Sequence, residues 1–151
     1  MNRKYYNEIM KENIYPPMHT AEHILNQTMV RLFKTDRCFS AHIEKKKSKC
    51  DYKFNRALTE TEIKNIEEKV NEIIKADLPI LVEMMPAEEA KKLFKSRAPE
   101  GEGDVKIVKI GDYDAIPCIG AHVQSTKELE HFRIISLNYN EGILRIRYKL
   151  N

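Results

Sequence analysis

The sequence predicts an α+β domain with a mainly antiparallel sheet and packed helices. Two segments place apolar residues at the spacing of amphipathic helices. Other short runs, including three in succession near the C-terminus, carry the alternation or the β-branched content typical of strands. Mixed elements without a repeated unit indicate helices packed on a sheet.

The first predicted element is a helix from Pro16 to about Lys34. Pro16 and Pro17 fit the first turn of a helix but not its interior, because proline lacks a backbone N–H. The apolar residues behind them recur at helical spacing and predict a stripe that faces the core: Met18, Ala21, Leu25, Thr28 or Met29, and Leu32. The runs "CFSAHIEKK" and "SKCDYKFN" then predict a β-hairpin with a basic tip.

A capping box of Thr59 and Glu62 predicts the start of a second helix, from about residue 60 to 76. Its apolar face consists of Ile63, Ile66, Val70, Ile73 and Ile74. "LPILVEMM" predicts a strand, Pro86 opens a short helix through "AEEAKKLF", and "RAPEGEGD" predicts a flexible loop. "VKIVKI", "HFRIISLNY" and "GILRIRYKL" predict three more strands, the last with Arg145, Arg147 and Lys149 on one face.

Composition limits the classes of protein that fit. A chain of 151 residues that is 42% hydrophobic is long enough for one compact domain, which we expect to span residues 1–151. It has neither an apolar run of the roughly 18 to 20 residues that cross a bilayer nor a signal peptide, so we expect a cytoplasmic protein without membrane contact. Three cysteines, Cys38, Cys50 and Cys118, have no disulfide framework and should stay reduced.

Two short motifs, far apart in the chain, could form a metal site. "HTAEH" places His19 and His23 on the same face of the first helix, about 6 Å apart. "CIGAH" places Cys118 and His122 four residues apart, next to a predicted strand end. A thiolate and three imidazoles form a ligand set that suits Zn²⁺. Together the two motifs favour a zinc site.

Other interpretations of these motifs remain open. Cys118 could be a small buried residue and His122 an ordinary surface or core histidine. H-x-x-E-H is also an inverted zincin motif, in which Glu22 would be the general base of a metalloprotease. That class needs a third carboxylate ligand, whereas Cys118 and His122 complete the ligand set better. We therefore expect Glu22 to be a neighbour of the site or a solvated residue.

The net charge of +3 is too small to indicate nucleic-acid binding by itself. The lysines of "EKKKSK" are concentrated, however, and could be either a solvated surface or a contact to a phosphate backbone: Lys45, Lys46, Lys47 and Lys49. We expect His42 on a strand surface and His131 at a strand start. Cys38 and Cys50 are expected to pack in the core.

The motifs resemble the editing domain of alanyl-tRNA synthetase, the free-standing alanyl-tRNA editing proteins and the related threonyl-tRNA synthetase editing domain. The resemblance runs from about residue 15 to 149 through "HTAEHIL", "RALTETEIKNIEEKVNEII" and "GDVKIVKIGDYDAIPCIGAHVQSTKELEHFRII". It implies that His19, His23, Cys118 and His122 hold zinc. It also implies hydrolysis of the ester in mischarged tRNA, which releases serine or glycine from tRNA for alanine. The partner is then the acceptor end of tRNA, and Lys47 and Ser48 match a turn that faces the substrate.

The chain departs from the family pattern at two places. Family members commonly read C-G-G-T-H, whereas this chain has Ile119, Gly120 and Ala121 between the ligands. The hairpin also lacks a glutamine that commonly precedes the serine turn. Both changes lie beside the expected amino-acid pocket, so the substrate could be another aminoacyl-tRNA or another acyl ester. A non-catalytic tRNA-binding module that kept the fold is a further alternative.

The chemistry of ester hydrolysis leaves several roles open. Zinc could polarise the carbonyl, activate a water molecule or anchor the amino group of the substrate. Four protein ligands would favour a structural role, whereas three would leave a position open. Thr20, next to His19, could contact a serine side chain or a water, although helical threonines commonly bond their own backbone. We predict Thr20 as the catalytic polar contact of the site.

Overall fold

A computed structural model describes residues 15–151, which form two antiparallel sheets and three α-helices. The expected α+β fold class is confirmed. The expectation of a single domain over residues 1–151 includes residues 1–14, which lie outside the described residues, and it stays a prediction. No helix among residues 15–151 combines the length and the apolar content needed to cross a membrane.

The helices are α1 (Pro16–Phe33), α2 (Glu60–Lys75) and α3 (Ala87–Phe94), with 3-10 turns at Lys95–Arg97 and Thr126–Glu128. The strands are β1 (Ser40–His42), β2 (Ser48–Lys53), β3 (Ile80–Met85), β4 (Val105–Ile110), β5 (Asp114–Pro117), β6 (Phe132–Asn140) and β7 (Ile143–Leu150). One sheet has the order β1-β2-β7-β6 and the other β3-β4-β5. We expected one sheet, whereas the structure has two, and the strand end expected beside Cys118 is that of β5.

Helix α1 begins with the prolines as predicted and ends where Lys34 adopts a left-handed conformation. The buried surface of α1 is wider than the predicted apolar stripe. The buried residues from 18 to 29 include polar side chains on several faces of the helix, among them Glu22 and Asn26. Helix α1 is therefore enclosed along most of its length. The expectation that Leu32 faces the core is wrong, since its side chain lies near the open end of the helix and is 43% exposed.

The inward face of the four-stranded sheet packs against α1 in the main core. Tyr52, Ile146 and Tyr148 are fully buried there, and the Tyr148 hydroxyl donates a hydrogen bond to the Met18 carbonyl oxygen at 3.3 Å. This bond ties β7 to the first turn of α1. The sheet thereby fixes the helix end that carries His19.

The predicted hairpin and the predicted capping box both form. Strands β1 and β2 pair antiparallel, and the Ser48 hydroxyl both donates to the Glu44 carbonyl oxygen at 3.1 Å and accepts from its amide at 3.0 Å. Cys38 and Cys50 are free and buried, as expected of packing residues. His42 lies in β1, where it contacts Glu44.

Two segments differ from expectation. Arg97 belongs to the predicted flexible loop, yet it is half-buried and donates to the carbonyl oxygens of Arg37 and Cys38 at 3.0 and 3.1 Å. The expected apolar strand β3 forms, but it lies at a sheet edge, and Leu81, Val82 and Met84 are exposed. Hydrophobicity alone therefore predicted this strand but not its exposure.

Candidate metal centre

Two segments meet to form a buried cluster of three imidazoles and one thiol. His19 and His23 lie one turn apart on α1, and Cys118 directly follows β5. The backbone amide of Cys118 donates to the Lys106 carbonyl oxygen at 3.1 Å, which holds this segment against β4. His122 completes the cluster from the same segment. The structure thus brings together the four residues that the sequence predicts as ligands, and their role as ligands stays a prediction.

The donor atoms of the four side chains converge. One atom from each of His19, His23, Cys118 and His122 lies within 4.8 Å of the others. Cys118 Sγ is 3.4 Å from His19 Nε2 and 3.9 Å from His122 Nε2, while the Nε2 atoms of His122 and His23 are 3.1 Å apart. Zinc binds imidazole nitrogen and thiolate sulfur at about 2.0 to 2.3 Å, so one ion can reach both atoms of each of these three pairs.

Neighbouring groups orient two of the imidazoles. His19 donates through Nδ1 to the Ala121 carbonyl oxygen at 3.2 Å. His23 Nδ1 is buried without a hydrogen-bond partner, and Asp114 Oδ2 lies 3.6 Å from it as an ion-pair contact. Both rings therefore turn Nε2 towards the cluster. Ligand histidines commonly use the other ring nitrogen in this way to fix the ring.

Asp114 is itself held by charged and polar side chains. Its Oδ1 accepts from Arg37 at 2.7 Å and from Gln27 at 2.9 Å, and its Oδ2 accepts from Arg37 at 3.1 Å. The Asp114 side chain is fully buried and that of Arg37 is 12% exposed. Although burial acts to raise the pKa of Asp114, the Arg37 guanidinium and His23 hold it well below its usual range. Asp114 is therefore a fixed negative charge behind His23. Sequence reasoning missed both residues, which carry no local motif.

Two of the four side chains have the protonation of metal ligands, whereas His23 must release a proton to bind a metal ion: burial lowers its pKa, but Cys118 and Asp114 outweigh this and raise it to about 10. Burial acts to raise the pKa of the Cys118 thiol, but His23 and the hydrogen bonds from His122 and His19 outweigh it and lower this pKa well below its usual value. Burial and the charge of His23 lower the pKa of His122 to about 3, so its imidazole is neutral. A thiolate and a neutral imidazole are the forms that bind metals.

The residues present therefore fit a zinc ion. Imidazole nitrogen and thiolate sulfur are the donor types that zinc prefers, and four of them can surround one ion tetrahedrally. The two oriented rings and the thiolate are the features expected around such an ion. By contrast, three clustered imidazoles without a cation would bring buried polar atoms together at a cost in free energy. The cluster is thus a candidate zinc centre.

Gly120 lies against His19 and allows the "CIGAH" segment to approach α1. A Cβ atom built on Gly120 would lie 2.7 Å from His19 Nδ1 and even closer to Cε1. We therefore expect Gly120→Ala to displace the His19 ring and to weaken zinc binding about 10- to 100-fold, as loss of ring orientation does elsewhere. Zinc affinity measured by competition with a chromogenic chelator checks this. Gly103→Ala is the control, because a Cβ atom placed there would have no neighbour within 4 Å. Equal affinities of the two variants would contradict the proposed contact.

Thr20 and Glu22 lie beside the ligands and are fully buried. The Thr20 hydroxyl donates to the Pro16 carbonyl oxygen at 2.8 Å and accepts from the Val123 amide at 3.2 Å. Thr20 therefore ties the segment after His122 to α1. Glu22 is not solvated, and burial raises its pKa to about 7. Its Oε2 has no hydrogen-bond partner and lies 3.9 Å from His23 Nε2.

The predicted lysine tip lies apart from the buried cluster, on the exposed turn between β1 and β2. Lys45, Lys46 and Lys47 are exposed, and Lys49 is half-buried at the start of β2. Lys45 Nζ lies 5.6 Å from the centre of the Tyr15 ring, which directly precedes α1. The tip and the helix end that carries His19 are therefore neighbours.

A separate surface cleft of about 680 Å³ lies at the other end of α1. It is lined by Phe33, Lys34, Phe54 and Arg56, among others, and by no residue of the histidine–cysteine cluster. Arg56 is already paired with Glu62 at 2.7 Å. This cleft therefore adds nothing to the candidate metal centre.

The fold and the cluster define a class, an antiparallel α+β domain with a candidate metal centre of three histidines and one cysteine. Residues 105–147 match the threonyl and alanyl tRNA synthetase second additional domain, a range that contains Cys118 and His122. The chain is 37% identical to an alanine–tRNA ligase of Treponema denticola over 134 residues, which cover 85% of this chain and 22% of that protein.

Two further relatives support the same assignment. An alanine–tRNA ligase of Caldivirga maquilingensis is 33% identical over 85% of this chain and 15% of its own length. The alanyl-tRNA editing protein AlaX-L of Pyrococcus horikoshii is 35% identical over 78% of this chain and 29% of its own length. The chain belongs to the alanyl-tRNA synthetase editing-domain family. It spans less than a third of each of these relatives.

Proposed function

We propose that this chain is a zinc-dependent aminoacyl-tRNA deacylase that removes serine or glycine from mischarged tRNA for alanine. The observation that carries the proposal is the convergence of His19, His23, Cys118 and His122 within 4.8 Å in a member of this family. The similarity to a protein named for alanyl-tRNA editing supports the substrate class.

The reaction is hydrolysis of the ester between an amino acid and the 3′ end of tRNA. Water adds to the carbonyl carbon, the bond to the tRNA oxygen breaks, and that oxygen leaves with a proton. A bound zinc ion would supply Lewis acidity and positive charge at this place. Asp114 and the Ala121 carbonyl oxygen hold the rings of His23 and His19 in position. Glu22, with a pKa of about 7, can hold a proton on Oε2 beside the cluster.

Deacylation of defined substrates tests the proposal. The purified chain, with added zinc or with a chelator, is incubated with seryl-, glycyl- and alanyl-tRNA for alanine and with seryl-tRNA for threonine. We expect release of serine and glycine from tRNA for alanine, lost with the chelator and restored by zinc. No zinc-dependent hydrolysis of any of the four substrates would contradict the enzyme assignment.

Thr20 is the proposed polar contact for the substrate. Its hydroxyl already makes two hydrogen bonds, and one oxygen lone pair remains for a substrate hydroxyl or a water. We expect Thr20→Val to slow hydrolysis of seryl-tRNA about 10-fold more than that of glycyl-tRNA, because glycine has no hydroxyl to lose. Single-turnover rates on both substrates check this. An equal loss on both would mean that Thr20 only positions Val123.

The lysine tip is the proposed contact to tRNA phosphates. We expect a variant with alanine at Lys45, Lys46, Lys47 and Lys49 to bind tRNA more weakly, with a shallower salt dependence by about one unit per lost phosphate contact. Binding constants across a potassium chloride series measure this slope. A charge-matched control has alanine at four lysines elsewhere: Lys64, Lys69, Lys91 and Lys92. An unchanged slope in the tip variant would make the tip an ordinary solvated surface.

A second candidate function is a tRNA-binding module without deacylase activity, or a hydrolase of another acyl ester. One observation favours it. Ala121 stands where the family commonly has a hydroxyl, and it offers only its backbone, whose carbonyl oxygen already accepts from His19. The substrate panel separates the deacylase from both alternatives, because either of them would leave all four esters intact. Binding of tRNA with zinc present then distinguishes the binding module from a hydrolase of an unrelated ester.

A further inference from the structure

Four cationic side chains lie together on the outward face of the four-stranded sheet, which we call the outer basic face: Lys49, Arg133, Arg147 and Lys149. Lys49 lies directly opposite Arg147, and Arg133 directly opposite Lys149. Neighbouring strands are about 4.8 Å apart, and two residues along a strand span about 6.7 Å. The two cationic pairs are therefore adjacent and form one compact patch.

The charge of this patch is not neutralised. Asp51 points to the same face, but both of its carboxylate oxygens accept from Arg145, at 2.8 and 2.9 Å. Arg147 is held by neutral oxygens, Ser136 Oγ at 3.4 Å and Asn138 Oδ1 at 2.7 Å, which orient the guanidinium and leave its charge. Within residues 15–151, no side chain of the outer basic face forms an ion pair with a carboxylate.

Like charges placed directly opposite each other destabilise a sheet. Two such pairs side by side therefore do not stabilise the sheet, whereas the neighbouring ion pair of Asp51 and Arg145 joins two strands. A polyanion bound on the outside would turn this repulsion into attraction. Charge complementarity thus indicates what covers the face.

The outer basic face lies at the end of the sheet nearest the candidate metal centre. Lys49 belongs both to the lysine tip and to the outer basic face, so the tip and the face form one continuous basic surface. Tyr148, between Arg147 and Lys149, bonds to the Met18 carbonyl oxygen, one residue before His19. The face is on the side of the sheet away from α1. A nucleic acid bound on the outer basic face would therefore need a single-stranded end to reach the cluster. That end would pass the β1–β2 turn.

The composition of the face selects a double-stranded partner. Sheets that bind single-stranded RNA present aromatic side chains on which the bases stack. The imidazole of His42, opposite Lys49 on β1, contacts Glu44 at 2.8 Å. The outward positions of β2 and β7 contain no aromatic residue: Lys49, Asp51, Lys53, Ile143, Arg145, Arg147 and Lys149. Lysine and arginine without aromatic partners suit the phosphates of a helical stem, which proteins recognise through backbone and shape.

We propose that the outer basic face binds the phosphate backbone of a double-stranded RNA stem. The proposal rests on the function proposed above and deepens it, since the stem is the acceptor stem of the tRNA substrate. The face positions the stem and takes no part in the chemistry of the ester.

A double variant tests the face without touching the lysine tip or the cluster. Arg133→Gln with Lys149→Gln removes two charges from the face, and Lys91→Gln with Lys92→Gln removes two charges from α3. Binding of uncharged tRNA for alanine and of a short RNA duplex is measured across a potassium chloride series, with thermal unfolding as the check on folding. We expect the face variant to lower the salt slope by about two for both RNAs, and the α3 variant to leave it unchanged.

Three results would overturn the proposal. The first is an equal slope for the two double variants, and the second is equally tight binding of single-stranded RNA of the same length. The third is a loss of binding to anionic lipid vesicles in the face variant without a loss of RNA binding. Because neither RNA carries an amino acid, there is no ester to hydrolyse, and the binding result does not depend on deacylase activity. If the chain hydrolyses no ester but shows the expected salt slopes, the proposed deacylase activity is wrong and the proposed RNA-binding role of the outer basic face stands.

Discussion

Alanine at Cys118 is expected to abolish stoichiometric zinc binding and, with it, deacylation of seryl-tRNA for alanine. The thiol is the one sulfur donor of the cluster, and its Sγ lies 3.4 Å from His19 Nε2 and 3.9 Å from His122 Nε2. Its removal leaves three imidazoles without the negative charge that offsets part of the charge of a divalent ion. We expect zinc affinity to fall more than about 100-fold, beyond the effect of losing an outer contact.

Cys50→Ala is the matched control for this prediction. Cys50 is also a free, fully buried thiol, but it lies on β2 and outside the cluster. The control should lose some stability and keep its zinc. Metal analysis of both variants after dialysis, followed by single-turnover deacylation, makes the comparison. Stoichiometric zinc in Cys118→Ala, or an equal loss of zinc in the two variants, would remove Cys118 from the ligand set.

The second large effect is expected at Asp114. Asp114→Asn leaves Arg37 as a buried guanidinium without its carboxylate, since the pair is joined at 2.7 and 3.1 Å and Asp114 is fully buried. Breaking one partner of a buried ion pair costs about 3 to 5 kcal/mol. Urea unfolding of the zinc-free chain measures this loss in the free energy of unfolding. The zinc affinity should also fall about 10- to 100-fold, because His23 loses the group that faces its Nδ1.

An exposed pair provides the control for Asp114. Glu83 and Lys109 are joined at 2.9 Å, but their side chains are 53% and 34% exposed. Glu83→Gln should therefore cost less than about 1 kcal/mol and leave the zinc affinity unchanged. If Asp114→Asn behaves like Glu83→Gln in both measurements, Asp114 neither holds the fold together nor orients His23.

Sequence reasoning predicted best where the interaction is local. Three features were predicted correctly: the prolines that open α1, the capping box at Thr59 and the β1–β2 hairpin. Each involves residues close in the chain, so the sequence pattern predicts it without knowledge of tertiary contacts. Both halves of the candidate site are also local patterns of four-residue spacing. Their convergence was a hypothesis, since no local pattern says which distant segments meet.

The groups around the cluster were missed for the same reason. Arg37 and Asp114 are 77 residues apart, and no local sequence pattern at either residue predicts a buried ion pair. Gly120 stood out only as part of a changed motif, although a glycine between two candidate ligands is a usable signal of close approach. Glu22 was expected as a neighbour or a solvated group. Its complete burial follows from the enclosure of α1 between other elements, which helical periodicity does not report.

A single titration tests whether the reaction depends on a metal ion bound to the chain. The chain is stripped of metal with a chelator, zinc is returned in steps, and the rate of serine release from seryl-tRNA for alanine is followed at each step. We expect no release without zinc and a rise that levels off at about one ion per chain. Full release from the stripped chain, or no release at any zinc concentration, would contradict it.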